Sequence, residues 1–545
     1  MLRSEIIRAI LEKRGISAEA LEEYLNPSLA GLARPEELPG IVEAGDVLLD
    51  ALASGLEMVV FGDYDCDGVC ATTILSTALK ALGGKVSEFV PARLTEGYGM
   101  SEKSVARMLR ENPSVRLVIT VDTGVNAVES IAELKAKGLQ VVITDHHLPG
   151  DELPAADALV DPKVAAPEHL SDLCGAGVAF LLANRLISEA RRRGRYKGSN
   201  IGGPLLVLAG LATVTDIMPL LGQNRILVAE ALKHFGEWAP IGLKELHQRA
   251  SRSGYDRLTS RDFGFMLGPR INAAGRLASS LEALELLSSD DREIVRELAR
   301  IIDGYNTERK SIEPKMTDEA FSKVVAGASA QMIYLPNGHP GIAGIVAARL
   351  MEKLSTPVCV LAGGHGSARS PDGINIRDAF VACSSVLDKF GGHAAAGGFS
   401  VLDGKTDEFR RLLCAYCDKL AVTAARPSTG GGVGTVDACV DFSDITMELA
   451  EDIQKMEPFG EGNPEPVFAV RELTFGDVRQ MGAEGKHLLI TFRKSPLQAV
   501  WWGHGELVEQ LRAESAVPHD IFFKVAISEY GERHVEMRLI GIERT

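Results

Sequence analysis

Four times before residue 165 this chain runs through a short apolar stretch and ends it on an acid: EMVVFGDYD, RLVITVDTG, LQVVITDHH and ADALVDPK. Runs of Val, Ile and Leu without polar alternation read as strands buried on both faces, the pattern of a parallel sheet covered by helices. Helix-patterned stretches such as ATTILSTALKALGG and AVESIAELKAKG lie between them. The alternation predicts an open α/β sheet, whose ligands bind beyond the carboxyl ends of the strands. The acidic clusters of the sequence are expected at that edge.

The densest cluster is GDYDCDG, Gly62 to Gly68. If the chain stays extended there, Asp63, Asp65 and Asp67 share a face. Crowded carboxylates repel one another, and a divalent cation removes that repulsion. A plainer reading is an acidic turn with Asp67 capping a helix that begins near Cys70. Asp122, the Asp145-His146-His147 run and Asp216 in LATVTDIMPL add further candidates. Singly, each Asp reads as a cap and each His as an ordinary core residue. Jointly, acids and imidazoles delivered by successive strands to one edge point to metal binding. Carboxylates mixed with histidine suit Mn²⁺, with Mg²⁺ tolerated less well. Two ions roughly 3.5–4 Å apart would serve phosphodiester hydrolysis.

A chain of 545 residues exceeds one ordinary core, so roughly two to four domains are expected. Residues 1–50 read as an N-terminal helical region and 51–280 as the first α/β domain. Residues 281–325 read as a long connector helix, with Ile294, Leu298, Ile301 and Tyr305 at helical spacing. A second α/β domain spans 326–424. After the polar stretch AARPSTGGGVG, short alternating strands over 435–545 predict a small β-barrel of the OB type. The net charge of −16 excludes a chain coated in positive charge, although a local basic groove remains compatible with it. Cys66, Cys70, Cys174, Cys359, Cys383 and Cys439 read as buried small hydrophobes, and the single CxxC at Cys414 and Cys417 lacks the second pair of a zinc knuckle. MLRSEIIRAILEKRG has no continuous secretory core and no apolar run is long enough to span a bilayer, so a cytoplasmic protein without a membrane role is expected.

GDYDCDG, VDTG at 121–124, DHH at 145–147 and TVTD at 213–216 together resemble the motifs of the DHH phosphoesterase family. The chain is similar to the RecJ exonucleases of that family nearly end to end. GPRINAAGR (268–276), HPGIAGIVAARL (339–350), GSARS (366–370), FGGHAAAGGF (390–399) and FGEGNPEPVF (459–468) resemble RecJ segments. The resemblance implies a DHH catalytic domain, a DHHA1 domain and an OB-fold domain. It implies two divalent ions, Mn²⁺ preferred, held by Asp65, Asp67, Asp122, His146 and Asp216. Asp122 would bridge, with Asp63 and His147 as supporting catalytic groups and Asp145 in the same surroundings. The implied activity is hydrolysis of single-stranded DNA from its 5′ end to mononucleotides, in repair, recombination and mismatch repair. The chain would act as a monomer beside a RecQ-like helicase and a single-strand binding protein. Cys66, Thr215 and Gly338 depart from the common family pattern, and none of them removes a ligand.

Phosphate contacts are expected from Arg270, Arg276, Ser367, Arg369, Ser370 and His393, since Arg forks and Gly-flanked backbone suit phosphate oxygens. Plainer roles are a salt bridge for either GPRINAAGR arginine and a helix cap for His393. In the C-terminal domain Phe475, Phe492, Trp501 and Trp502 are stacking candidates, each also readable as barrel core. Arg479, Lys486, Arg493 and Lys494 are backbone-contact candidates. RRRGR at 191–195 reads equally as a solvated turn or a DNA contact. Two other classes compete: a DHH enzyme of small substrates, which has less need of the C-terminal domain, and a non-catalytic DNA-binding scaffold, which has no need of a complete ligand set. The absence of GxxxxGK[ST] argues against a nucleoside-triphosphate-dependent kinase or ATPase.

Overall fold

The computed structural model describes residues 4–97, 99–251, 258–423, 435–493, 495–528 and 533–545. The AARPSTGGGVG stretch and Lys494 lie outside the described residues. Among those described, no helix is long and apolar enough to cross a membrane.

The four acid-terminated runs are strands of one parallel sheet. It comprises β1 (Glu57–Gly62), β2 (Lys85–Phe89), β3 (Leu117–Val121), β4 (Gln140–Thr144) and β5 (Ala158–Val160), in the order β2-β1-β3-β4-β5. The crossover from β1 to β2 runs one way and that from β2 to β3 returns past β1 the other way, which opens a crevice between the carboxyl ends of β1 and β3. Register makes the edge sharp. Gly62 pairs with Val121, Val121 with Thr144, and Thr144 with Val160. The next residue of each strand is an acid, so Asp63, Asp122, Asp145 and Asp161 form one row.

A second sheet has β6 (Gln331–Leu335) parallel to β7 (Val358–Ala362). The antiparallel strands β8 (His365–Arg369), β10 (Ala396–Val401) and β9 (Leu387–Gly392) continue it. The connector is two helices rather than one. Ser280–Ser288 ends before Asp291, which caps a 31-residue helix, Arg292–Ser322. That helix runs roughly 46 Å at about 1.5 Å per residue. Its buried stripe is Val295, Leu298, Ala299, Ile302 and Asn306; Ile294 is exposed and Ile301 and Tyr305 are half-buried, so the expected face is rotated by about one residue. The helix is fastened at two levels. Arg270 of the helix Gly268–Leu277 bonds Asp303 at 2.9 Å, and buried Glu313 pairs with Arg309 at 2.7 Å and with Arg349 of the helix Pro340–Leu354. These pairs set the separation of the two α/β domains.

The C-terminal sheet contains β11 (Ala438–Cys439), β12 (Phe468–Leu473), β13 (Phe475–Met481), β14 (His487–Phe492), β15 (Ser495–Trp501), β16 (His519–Ser528) and β17 (His534–Arg544), ordered β11-β12-β16-β17-β15-β14-β13. Phe475 and Phe492 are core there, whereas Trp502 is 52% exposed. Cys439 is exposed, contrary to expectation, because two-residue β11 lies at the sheet's border. In RRRGR, Arg192 and Arg193 both bond Glu189 at 2.6 Å, which favours the solvated-turn reading.

The N-terminal region divides between two cores. Ile7, Ile10, Leu11 and Tyr24 pack with the C-terminal sheet, while Leu38, Ile41 and Leu48 pack with the first domain. Buried Arg225 joins the parts: its Nε donates to the Tyr24 carbonyl at 2.9 Å and its η nitrogens to the Met456 and Glu457 carbonyls at 3.0 and 2.8 Å. Arg225→Met leaves those carbonyls unmet and should destabilise the junction by about 2–4 kcal/mol. Chemical denaturation should show a lowered midpoint, with early release of the C-terminal domain; an unchanged midpoint would assign the closure to apolar packing alone.

Candidate metal centre

GDYDCDG does not remain extended. Asp65 rather than Asp67 is the N-cap: its Oδ1 accepts from the Asp67 and Gly68 amides at 3.1 Å, and the helix Cys66–Ala81 begins at once. The three acids therefore converge from a strand end, a cap and a first helical turn rather than by strand alternation. The glycines permit this crowding. A Cβ on Gly62 would lie 1.9 Å from Thr72 Oγ1, and one on Gly68 would lie 2.4 Å from the Asp63 carbonyl oxygen. Asn272 Oδ1 accepts the Cys66 amide at 2.8 Å, and Ser280 Oγ donates to the Tyr64 carbonyl at 2.5 Å. GPRINAAGR is thus a buttress of the acidic turn.

Asp122 follows β3 with φ +57°, a left-handed conformation that costs a non-glycine residue on the order of 1 kcal/mol. The helix Gly175–Arg192 presses its first turn against it. A Cβ on Gly175 would stand 2.5 Å from Asp122 Cβ. The same turn donates the Gly175 and Ala176 amides to the two carboxylate oxygens of Asp67, each at 2.7 Å. Asp216 reaches the cluster from the end of the helix Gly202–Thr215, not from a strand, so the expectation of sheet-edge acids does not extend to it.

His146 Nε2 lies 3.0 Å from Asp122 Oδ1 and 3.6 Å from both Asp67 Oδ2 and Asp216 Oδ2. Three groupings bring ligand atoms within 4.8 Å of one another: Asp122-His146-His147, Asp67-His146-Asp216 and Asp63-Asp65-Asp122. Asp122 belongs to two of them. Oδ1 of Asp63 and Oδ1 of Asp122 are buried without a hydrogen-bond partner. Orphaned carboxylate oxygens beside an imidazole are a donor set that fits hard divalent cations.

The electrostatics agree. Burial and Asp65 push Asp63 up to about 7, and burial and Asp67 raise Asp65 and carry Asp216 up to about 9. Burial and the surrounding acids drive Asp122 well above the usual carboxylate range. Burial lowers His146, keeping its imidazole neutral. In His147 burial opposes charge, but the 2.7 Å bond from Nδ1 to Asp145 and the carboxylates nearby prevail, up to about 9. Asp145 also accepts the Val125, His146 and His147 amides, and its task is to hold the loop. Asp161, which the sequence reading did not single out, is buried with Oδ2 unpartnered. Its position after β5 was the available signal.

The two α/β domains together supply a basic wall, Arg93 and Arg276 from the first and Arg369 from the second. Arg276 donates to the Gly341 carbonyl at 3.3 Å, and burial and neighbouring Arg93 push it down to about 10, with Arg369 adding to the effect. The Arg93 guanidinium lies 4.9 Å from the Tyr64 ring centroid. Arg93 was missed because PARLTEGYGM carries no local phosphate-binding pattern. Ser367 and Arg369 share a face of β8, beside Gly344 of the helix Pro340–Leu354. Ser370 Oγ donates to the Ile374 carbonyl at 2.7 Å, and Arg270 is committed to Asp303 and to the Met266 carbonyl. His393, in the turn between β9 and β10, crosses to the first domain and stacks on His147 with ring centroids 5.9 Å apart.

Comparison with known proteins agrees with this arrangement. Sequence profiles match for the DHH family N-terminal domain over 57–208, the DHHA1 domain over 327–419 and the RecJ OB domain over 436–540. The single-stranded-DNA-specific exonuclease RecJ of Bacillus subtilis (strain 168) is 34% identical over 97% of this chain, which spans 66% of that protein's length. The enzyme of the same name from Salmonella typhimurium is 34% identical, with 85% of this chain and 82% of that protein covered. The crystal structure of RecJ in complex with Mn²⁺ from Thermus thermophilus superposes with a TM-score of 0.83 at 29% identity, over 99% of this chain and 76% of that one. A RecJ bound to manganese gives 0.63 at 34% identity, over 70% and 95%.

Raised carboxyl pKa values mean that the folded chain without cations keeps protons which the unfolded chain sheds above about pH 4. That contribution to stability is full below this pH and fades as pH rises through about 7 for Asp63 and about 9 for Asp216. Mn²⁺ added to chelator-treated protein should therefore raise the melting temperature more at pH 8.5 than at pH 6. Equal rises at both values would mean the carboxylates are already ionised.

Proposed function

The chain belongs to the RecJ family of DHH phosphoesterases, and from that membership we propose that it is a single-stranded-DNA-specific exonuclease that works from the 5′ end and releases 5′-mononucleotides. The observation that carries the reading is the buried acid cluster around Asp122, faced by a basic wall of Arg93 and Arg276 from the first domain and Arg369 from the second. Asp65, Asp67, Asp122, His146 and Asp216 would hold two divalent ions, with Asp122 shared between them. Mn²⁺ is preferred for its tolerance of imidazole and Mg²⁺ is admitted. Such ions supply the Lewis acidity that activates water and offsets charge on phosphoryl oxygens.

The chain's own groups do the rest. Arg276, Arg369 and Arg93 hold the terminal 5′-phosphate, with Ser367 as a hydroxyl donor, and so set the scissile bond one nucleotide inward. Ser370 shapes the turn after β8. His147, fixed through Nδ1 by Asp145, presents Nε2–H to the departing 3′-oxygen, and Asp63 orients the attacking water. His393 closes the site from the opposite wall. Arg270 acts on the strand through the long helix it fastens, which sets the width of the passage and admits one strand. Contacts of this kind position a backbone without reading its bases.

The C-terminal sheet closes into a barrel by way of β12 and β13. These strands stand almost at opposite ends of the sheet order yet follow one another directly in the chain. Trp502, Arg479 and Arg493 at its surface give the strand a further hold. The protein works in the cytoplasm as a monomer, in recombinational and mismatch repair, beside a RecQ-like helicase and a single-strand binding protein.

The test is a time course with 5′-labelled and 3′-labelled single strands and a blunt duplex in Mn²⁺. Early release of the 5′ label as mononucleotide, absent on duplex and reduced at least about 10³-fold by Asp122→Ala, is the expected result. Hydrolysis confined to dinucleotides would keep the metal chemistry and overturn the assignment to long DNA.

A further inference from the structure

Beyond the stacked pair His147–His393 a cleft of about 490 Å³ opens between the two α/β domains. This lies within the roughly 300–1,000 Å³ range of small-molecule sites. Its two walls differ in chemistry. The second domain contributes His393, Arg377 and the apolar side chains of Phe390 and Val381. The first contributes Asn126 and the carboxylates of Asp151 and Glu152.

Each wall is held in place. The Phe390 ring meets Phe380 edge-on at 6.1 Å, which fixes its orientation although it is 38% exposed. Val381, 57% exposed, stands beside it in the cleft. The Arg377 side chain makes no hydrogen bond or ion pair with any described residue. Across the gap Asn126 Nδ2 donates to the Leu148 carbonyl at 3.0 Å, which ties the floor to the loop that follows the two histidines.

The cleft thus offers a free cation and an imidazole, an aromatic face, and acceptors opposite them. A nucleoside monophosphate has the complementary order: an anionic phosphate, a flat base, and a base edge bearing N–H donors. Bases stack on aromatic rings whatever their identity, and carboxylates accept from base N–H groups. We propose that this cleft is the holding and exit site of the mononucleotide product, with Phe390 as the stacking surface for the base and Arg377 as the partner of the phosphate. The inference rests on the function proposed above, and it adds where the product goes once its 3′-oxygen is free. His393, shared by the hydrolytic centre and the cleft, marks the passage between them.

Competition and direct binding test it together. With wild-type protein in Mn²⁺, dAMP should inhibit hydrolysis of labelled single strands more strongly than inorganic phosphate. Phe390→Ala should weaken dAMP about tenfold and leave phosphate unchanged. Arg377→Ala should weaken dAMP and leave deoxyadenosine unchanged. Equilibrium dialysis of labelled dAMP against the full chain should give the same ratios. If strands are hydrolysed but neither variant changes dAMP affinity, the cleft is not the product site and the exonuclease reading stands. If no strand is hydrolysed, that reading fails, and dialysis alone decides the cleft: wild-type binding lost in Phe390→Ala sustains it, and binding equal in both overturns it.

Discussion

Repulsion among buried carboxylates at one edge of the first sheet is the constraint on which the rest of the structure depends. Ionised acids removed from water cost several kcal/mol each unless a counter-charge meets them. Here the chain does not relieve the crowding; it enforces it. A Cβ on Gly68 would strike Asp63 and one on Gly175 would strike Asp122, one on Gly62 would strike Thr72 of the helix that follows, and Asp122 keeps a left-handed backbone. The Gly175 and Ala176 amides pin Asp67, while Asn272, distant in sequence, fastens the turn through the Cys66 amide. A scaffold that over-determines so unfavourable a cluster makes sense only with a ligand whose charge reverses the sign of the interaction.

The two adjacent histidines show how finely position divides chemistry. His146 is buried with Nε2 among three carboxylates, and loss of water keeps it neutral and able to donate a lone pair. His147 is partly exposed and bonded to Asp145, which keeps it protonated. One residue of backbone separates a neutral imidazole from a protonated one. Asp145 makes that division possible by taking three backbone amides as well as His147, so it has little capacity left for a cation.

Much of this was legible in the sequence because periodicity encodes burial. The strands, the α/β order, the β-rich C-terminus and the metal motifs followed from apolar runs and the acids that end them. What the sequence concealed was longer in range. The helix-end origin of Asp216 has the same local look as a strand end. Arg93 carries no neighbouring signal, since its meaning lies in Arg276 and Arg369, which come from other elements. Arg270 resembles a phosphate fork until Asp303 appears beside it. The shared pattern of Phe475, Phe492 and Trp502 could not tell core from surface, because alternation assigns faces only once register is known. Nor could it tell that Ile7 and Tyr24 belong to a core built mainly from residues beyond 435.

The net charge of −16 set a polyanionic substrate against an acidic chain, and the site resolves the conflict by adjacency. In the basic wall Arg93 acts on Asp63 and Arg276 on Asp65, while Arg369 adds its charge beside Arg276. On the function proposed above, a terminal phosphate would be drawn to that wall at any ionic state of the cluster. The next phosphate must approach the acids themselves, and it is repelled unless their charge has already been cancelled. Protons cancel it without activating water; divalent cations do both. Cation binding and the seating of the scissile phosphate are therefore linked, each raising the affinity of the other by the same factor. In the proposed reaction that reciprocity would make the acid cluster a gate on hydrolysis as well as its centre, because a strand anchored at its end would stay uncut until the cations were in place.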